Sequence, residues 1–170
     1  MTPRKRPRPT EDIPLSPAEE QRAAIDRALT CLTGRDYASG ELYEKLRERF
    51  SDRAAAAAVA EMRGQGYLDD ARYAASRARY LGEVKHKSPR EIRQILRGKG
   101  VSDEDITDAI DALEDYDETE ACRALVEKQY LRKLEAGRED LVIAALMRRG
   151  FSYGVAREAI NSVDSPAEGG

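Results

Sequence analysis

Two adjacent carboxylates, Asp69 and Asp70, follow Gly66-Tyr67-Leu68. Such a pair can bind a metal ion or divide acid and base work. No third ligand stands nearby, and the segment reads better as a turn. Gly66 ends a helix in the left-handed region, Tyr67 and Leu68 anchor the packing, and Asp69 or Asp70 caps the next helix. His86 is the only histidine and lies in a basic loop, Lys85-His86-Lys87, with no Ser, Cys or Asp arrangement around it. Nothing there assembles a nucleophile, a base and an orienting group. Cys31 and Cys122 sit in apolar helical contexts without enough further ligands for zinc, and read as small buried thiols. An enzyme is not expected, and no cofactor is implied.

Binding chemistry is better represented. From Ala71 to Lys99 there are nine Lys or Arg against two acidic residues, whereas Ser102 to Glu120 holds ten acids and no base. A net charge of −3 hides this segregation. Arg90, Arg93 and Arg97 recur at three and four, on one helix face with Lys85, Lys87 and Lys99 close by, while Ile92, Ile95 and Leu96 turn to the core. The face is either solvated or a contact for an acidic protein surface or DNA phosphate. Lys45, Arg47 and Arg49 stand at the corresponding end of an earlier helix, and Arg148 and Arg149 at that of a later one. With Arg35 and Arg72 they form the candidate partner contacts, a basic stripe if the helices stack in register. The acidic run either imitates the charge of DNA or supplies helix N-termini and a solvated linker. Tyr80 and Tyr130 could stack on bases, but core packing is the reading preferred for them.

The elements that must hold these residues are helices. Ser16-Pro17-Ala18-Glu19 is a capping box with Pro in the first turn, and Ser88-Pro89-Arg90-Glu91 repeats the signal. Ser39 is expected to cap a helix carrying Leu42 and Leu46, and Asp52 an Ala-rich helix over 53–63. Further helices are expected from Asp69 or Asp70 through Leu81, with Gly82 in the following loop, from Ser102, over 118–135, over 139–149 and over 153–163. With 36% charged residues, 6% aromatics and no Trp, the core must be built from Ala, Leu, Ile, Val and a few Tyr.

These helices repeat. Ile92, Leu96, Gly100, Val101, Ser102, Ile106 and Ile110 recur fifty positions later as Val142, Leu146, Gly150, Phe151, Ser152, Ala156 and Ile160. Leu42, Leu46, Phe50 and Ser51 form an earlier copy in which the glycine is missing after Arg49. The expected architecture is all-α, an elongated, curved tandem array of three three-helix repeats with about nine helices. The repeats are placed at 16–68, 69–116 and 117–163, between a disordered basic Pro-rich tail, 1–15, and a flexible tail, 164–170. No stretch is apolar enough to span a membrane.

Arg35-Asp36-Tyr37-Ala38-Ser39-Gly40-Glu41-Leu42, then Gly66-Tyr67-Leu68-Asp69-Asp70-Ala71-Arg72-Tyr73-Ala74, then Ile92 to Gly100 and Arg149-Gly150-Phe151-Ser152 resemble, in this order, the bacterial RecX regulatory protein family. The resemblance covers residues 20–163, and its most specific part is Gly-Tyr-Leu-Asp-Asp-x-x-Tyr-Ala with the upstream Arg-x-x-x-Ser-x-x-Glu-Leu. It marks Ser39, Glu41, Leu42, Gly66, Tyr67, Asp69, Asp70, Tyr73, Gly100 and Gly150 as family-motif structural positions. It implies a cytoplasmic, monomeric modulator of the RecA recombinase that lies along the groove of the RecA filament on DNA. There it would inhibit recombination, ATP hydrolysis and coprotease stimulation, and so modulate DNA repair and the SOS response. The alternatives are a DNA-binding helical module that competes with the recombinase for single- or double-stranded DNA, and a general protein-interaction scaffold. The Pro-rich tail and the first repeat, without its glycine, depart from the family pattern.

Overall fold

Ser16 opens the first helix with both halves of a capping box: its hydroxyl accepts from the Glu19 amide, and the Glu19 carboxylate accepts from the Ser16 amide at 2.8 Å. In the computed structural model, residues 14–164 are described. The tails expected at 1–15 and 164–170 fall outside them but for residues 14, 15 and 164. All regular structure among the described residues is helical. The first group is α1 (Pro17–Gly34), α2 (Ser39–Arg47) and α3 (Asp52–Gly64). The second is α4 (Asp70–Arg79), which runs into a π-helical turn at Tyr80–Val84, with α5 (Pro89–Gly98) and α6 (Asp103–Asp111). The third is α7 (Glu118–Gln129), α8 (Leu131–Glu135), α9 (Glu139–Arg148) and α10 (Tyr153–Asp164).

Four local expectations are corrected. Ser39 is the first residue of α2 rather than its cap; Ala38 holds the cap position, and the Asp70 carboxylate accepts from the Ser39 amide at 2.7 Å. The Ala-rich helix is capped by Ser51, whose hydroxyl accepts from the Ala54 amide, so Asp52 lies within it. The helix expected over 118–135 breaks at Tyr130, giving ten α-helices among the described residues where about nine were expected. Gly82 lies buried in the π-helical turn, where the Tyr116 ring leaves no room for a Cβ.

Three apolar clusters form the interior. Ala24, Ala28, Ala55 and Ala58 are fully buried with Leu42, Leu46 and Met62, and the short side chains bring α1 and α3 close together. Ala74, Ala78, Ile92, Leu96 and Ile106 form the second, and Val126, Val142, Leu146, Phe151 and Ile160 the third. Burying each large side chain contributes about 1.5–3 kcal/mol.

Glycines make the seams between clusters. A Cβ on Gly40 would lie 2.7 Å from the Gly100 Cα, so the start of α2 and the turn after α5 meet backbone against backbone. Ala38, on the first side of this seam, packs into the second cluster. Gly150 repeats the arrangement: a Cβ there would lie 2.7 Å from Ser88 Oγ and 2.8 Å from Arg90 Cβ. Ser88 Oγ also donates to the Arg149 carbonyl at 2.6 Å. Gly100 and Gly150 differ by fifty, as do Gly40 and Arg90, and Ala38 and Ser88. The period is therefore a docking rule: the turn between the last two helices of one group seats on the start of the second helix of the group before. The corresponding turn of the first group, Arg49-Phe50, has lost the glycine.

Candidate functional site

At the first seam Glu41 organises the charge. Arg35 donates to both of its carboxylate oxygens, at 3.0 and 3.2 Å, and Lys99 Nζ donates from the next group at 2.6 Å. The Glu41 side chain is only 15% exposed. Burial acts to raise its carboxyl, but the hydrogen bonds from Arg35 and Lys99 outweigh it and the net shift is downward. The Arg35 guanidinium also lies 3.6 Å from the centre of the Tyr37 ring.

Beside this cluster lies a cleft of about 690 Å³. One wall is the outward stripe of α4, where Arg72, Tyr73, Ser76, Arg77 and Tyr80 follow helical spacing, opposite the buried Ala74 and Ala78. Arg35, Asp36, Tyr37, Tyr67, Asp69 and Lys99 complete the lining. Tyr67 is 55% exposed and Tyr80 40% exposed. Neither is the core residue expected, whereas Leu68 and Tyr130 are buried. The Tyr73 phenol is raised, first by burial and then by Glu41. The two neighbouring carboxylates divide their work: Asp69 accepts from the Arg72 amide at 2.9 Å and caps α4, while Asp70 caps α2. Gly66 takes φ +77°, as expected of a helix-ending glycine.

Most of the basic residues expected to form an outward stripe have partners inside the fold. Arg47 pairs with Asp52 at 2.7 Å, and Arg97, fifty residues on, pairs with Asp103 at 2.7 Å, each tying the second helix of a group to the start of its third. Lys45 pairs with Glu48, Lys87 with Glu91, and Arg93 donates to Thr107 at 3.0 Å. Arg149 donates to Gln129 and faces the Tyr130 ring; Lys85 faces the Tyr80 ring. Arg49, Arg72, Arg90 and Arg148 have no carboxylate partner within 4 Å among the described residues. Arg93 and Arg97 bind α6, so the basic face of α5 is turned toward a neighbouring helix rather than left wholly to solvent.

Tyr37, Ser76 and Arg77 belong to the cleft and were missed in the sequence. The signal for Ser76 and Arg77 is the polar and aromatic stripe at three and four along residues 69–80, opposite the alanines; Tyr37 carries no such pattern. Among the described residues no group of three or more His, Cys, Asp or Glu could hold a metal ion, and no helix is long and apolar enough to cross a membrane. Burial, aided by Glu118, pushes the Cys122 thiol up to about 12, the state of an inert core residue.

The family model described as "RecX, second three-helix domain" matches residues 69–110, which carry α4, α5 and most of α6. The regulatory protein RecX of Limosilactobacillus reuteri (strain DSM 20016) is 32% identical over 145 residues, covering 83% of this chain and 55% of the relative, so the chain spans about half of that protein's length. The regulatory protein RecX of Thermus thermophilus is 32% identical over 86% of this chain and 96% of its own. A crystal structure of a regulatory protein RecX superposes with a TM-score of 0.74 at 30% identity, covering 85% of this chain and 73% of that one. Near-complete alignment with the Thermus relative and the shared all-helical fold place this chain in the RecX family of regulatory proteins.

Proposed function

We propose that this chain binds the RecA recombinase filament, along its groove, and shifts it toward a state with lower recombination, ATPase and coprotease activity. Family membership supports the reading. The observation that carries it is the seam used twice at one register: helical groups docked by the same rule present equivalent surfaces at regular steps, which suits a partner that is itself repetitive. Inhibition requires tighter binding to one filament state than to another, since equal affinity shifts nothing. Of the cations without a carboxylate partner, Arg49, Arg90 and Arg148 are better contact residues than Arg93 and Arg97, which are held by α6. Modulation of DNA repair and the SOS response in the cytoplasm follows from this reading.

A RecA ATPase or strand-exchange assay with substoichiometric chain tests it. Inhibition well below one chain per recombinase monomer is expected, and Arg49→Glu combined with Arg148→Glu is expected to weaken it while melting stays unchanged. No inhibition at excess chain overturns the proposal. Competition for DNA would instead give inhibition relieved by excess DNA and a steep logarithmic salt slope.

A further inference from the structure

The cleft at the first seam has a lining that contact with an acidic protein surface leaves unexplained. Four tyrosines and four Lys or Arg share it with Ser76, Asp36 and Asp69, and no aliphatic side chain lines it among the described residues. Pockets that take apolar side chains or small apolar ligands are lined chiefly by hydrophobic groups. An acidic peptide needs cations but has no use for open rings. Here the Tyr67 ring is 55% exposed and carries no cation among the described residues, while cations already lie against two others: Arg35 on Tyr37, and Arg77 and Lys85 at 5.3 and 5.4 Å from the Tyr80 centroid. Arg77 Nε is buried with no hydrogen-bond acceptor among the described residues, a donor whose desolvation an oxyanion would offset. Asp69 is occupied in capping α4, and Glu41 fixes Arg35 and Lys99 in place before any ligand arrives.

We propose that this cleft binds a short run of single-stranded nucleic acid, with a base stacked on Tyr67 and phosphates met by Arg72, Arg77 and Lys99. Planar rings interleaved with cations fit that ligand, because every unstacked base offers a π-face and every linkage a phosphate. A duplex keeps its base faces inside the stack and cannot use the rings. The ligand would also straddle the first seam, touching Arg35 and Tyr37 on one side and the α4 stripe on the other.

The test uses the full chain without recombinase, so its outcome is separate from that of filament inhibition. Fluorescence anisotropy with a labelled oligo-dT measures affinity, and circular dichroism confirms that each variant melts like the parent. Tyr67→Ala and Arg72→Ala are each expected to weaken binding about tenfold. Tyr67→Phe should keep it, and Arg132→Ala, on α8 far along the chain from the cleft residues, should leave it unchanged. No binding by the parent chain, equal affinity of Tyr67→Ala and parent, equal affinity for a duplex, or displacement by poly-glutamate as effective as by unlabelled oligo-dT would each overturn the proposal.

Discussion

Glu41 joins two helical groups through one carboxylate, and the fifty-residue period places Glu91 at the corresponding position of the second seam. There the lock is absent: Glu91 binds Lys87 within its own group, its second oxygen is buried without a partner, and Arg149, the counterpart of Lys99, turns to Tyr130 and Gln129. Glu41→Gln is therefore expected to cost about 2 kcal/mol, the scale of a hydrogen bond to a charged group. The folded carboxyl titrates below its ordinary value of 4.5. The unfolded chain thus binds the proton more readily, and the stabilisation is complete above that value and lost as pH falls through the folded one. Melting of parent and Glu41→Gln should differ at pH 7 and converge toward pH 3; a gap unchanged across that range contradicts the assignment. Asp69→Ala should cost about 1 kcal/mol through the lost α4 cap, read by the same melting, with Asp70→Ala loosening α2 instead. The capping role of Asp69 was legible in its place before a helical stripe. That of Asp70 was not, because its acceptor reaches an amide 31 residues away.

Among elements, helix positions followed from Ser caps, glycine stops and apolar spacing, and the all-α class from their repetition. The break at Tyr130 and the π-helical turn were hidden, since both answer to packing. Tyr130 is buried in the third cluster, and Gly82 gives way to the Tyr116 ring, whose hydroxyl donates to the Lys87 carbonyl at 2.8 Å. Burial holds that phenol well above its ordinary range. Seam glycines and helix-end glycines look alike in sequence but differ in surroundings. Gly40→Ala meets backbone that cannot yield and is expected to destabilise by about 1–3 kcal/mol. Gly150→Ala adds the strain of φ +96°. Gly64→Ala has open space and should be neutral or stabilising by up to about 1 kcal/mol. Urea titration of the three variants checks the order, and equal effects at Gly40 and Gly64 would contradict backbone contact at the seam.

Across the whole molecule, the three clusters are joined through narrow seams rather than through one shared interior. Stability should then behave as a sum of local terms and neighbour contacts. Leu146→Ala, in the third cluster, is expected to remove about 2–5 kcal/mol there. Amide hydrogen exchange should show lost protection over 118–164 and little change over 17–64; uniform loss would mean a single cooperative unit. The cleft was the least legible feature, because it arises where residues near 36, 70 and 99 meet, and no local pattern announces that meeting. The docking rule also bears on what happens between copies. A surface that seats one group on the next is heterologous, and copies joined by such a surface form a ring where the rotation closes and a fibre where it does not. The first and third groups depart from the rule. Arg49-Phe50 lacks the glycine that would insert, and exposed Arg138 stands where Ala38 and Ser88, both fully buried, form the receiving side. The chain is therefore expected to sediment as a single copy. Head-to-tail growth into a ring or fibre, which the twice-used seam would otherwise invite, ends at these two positions.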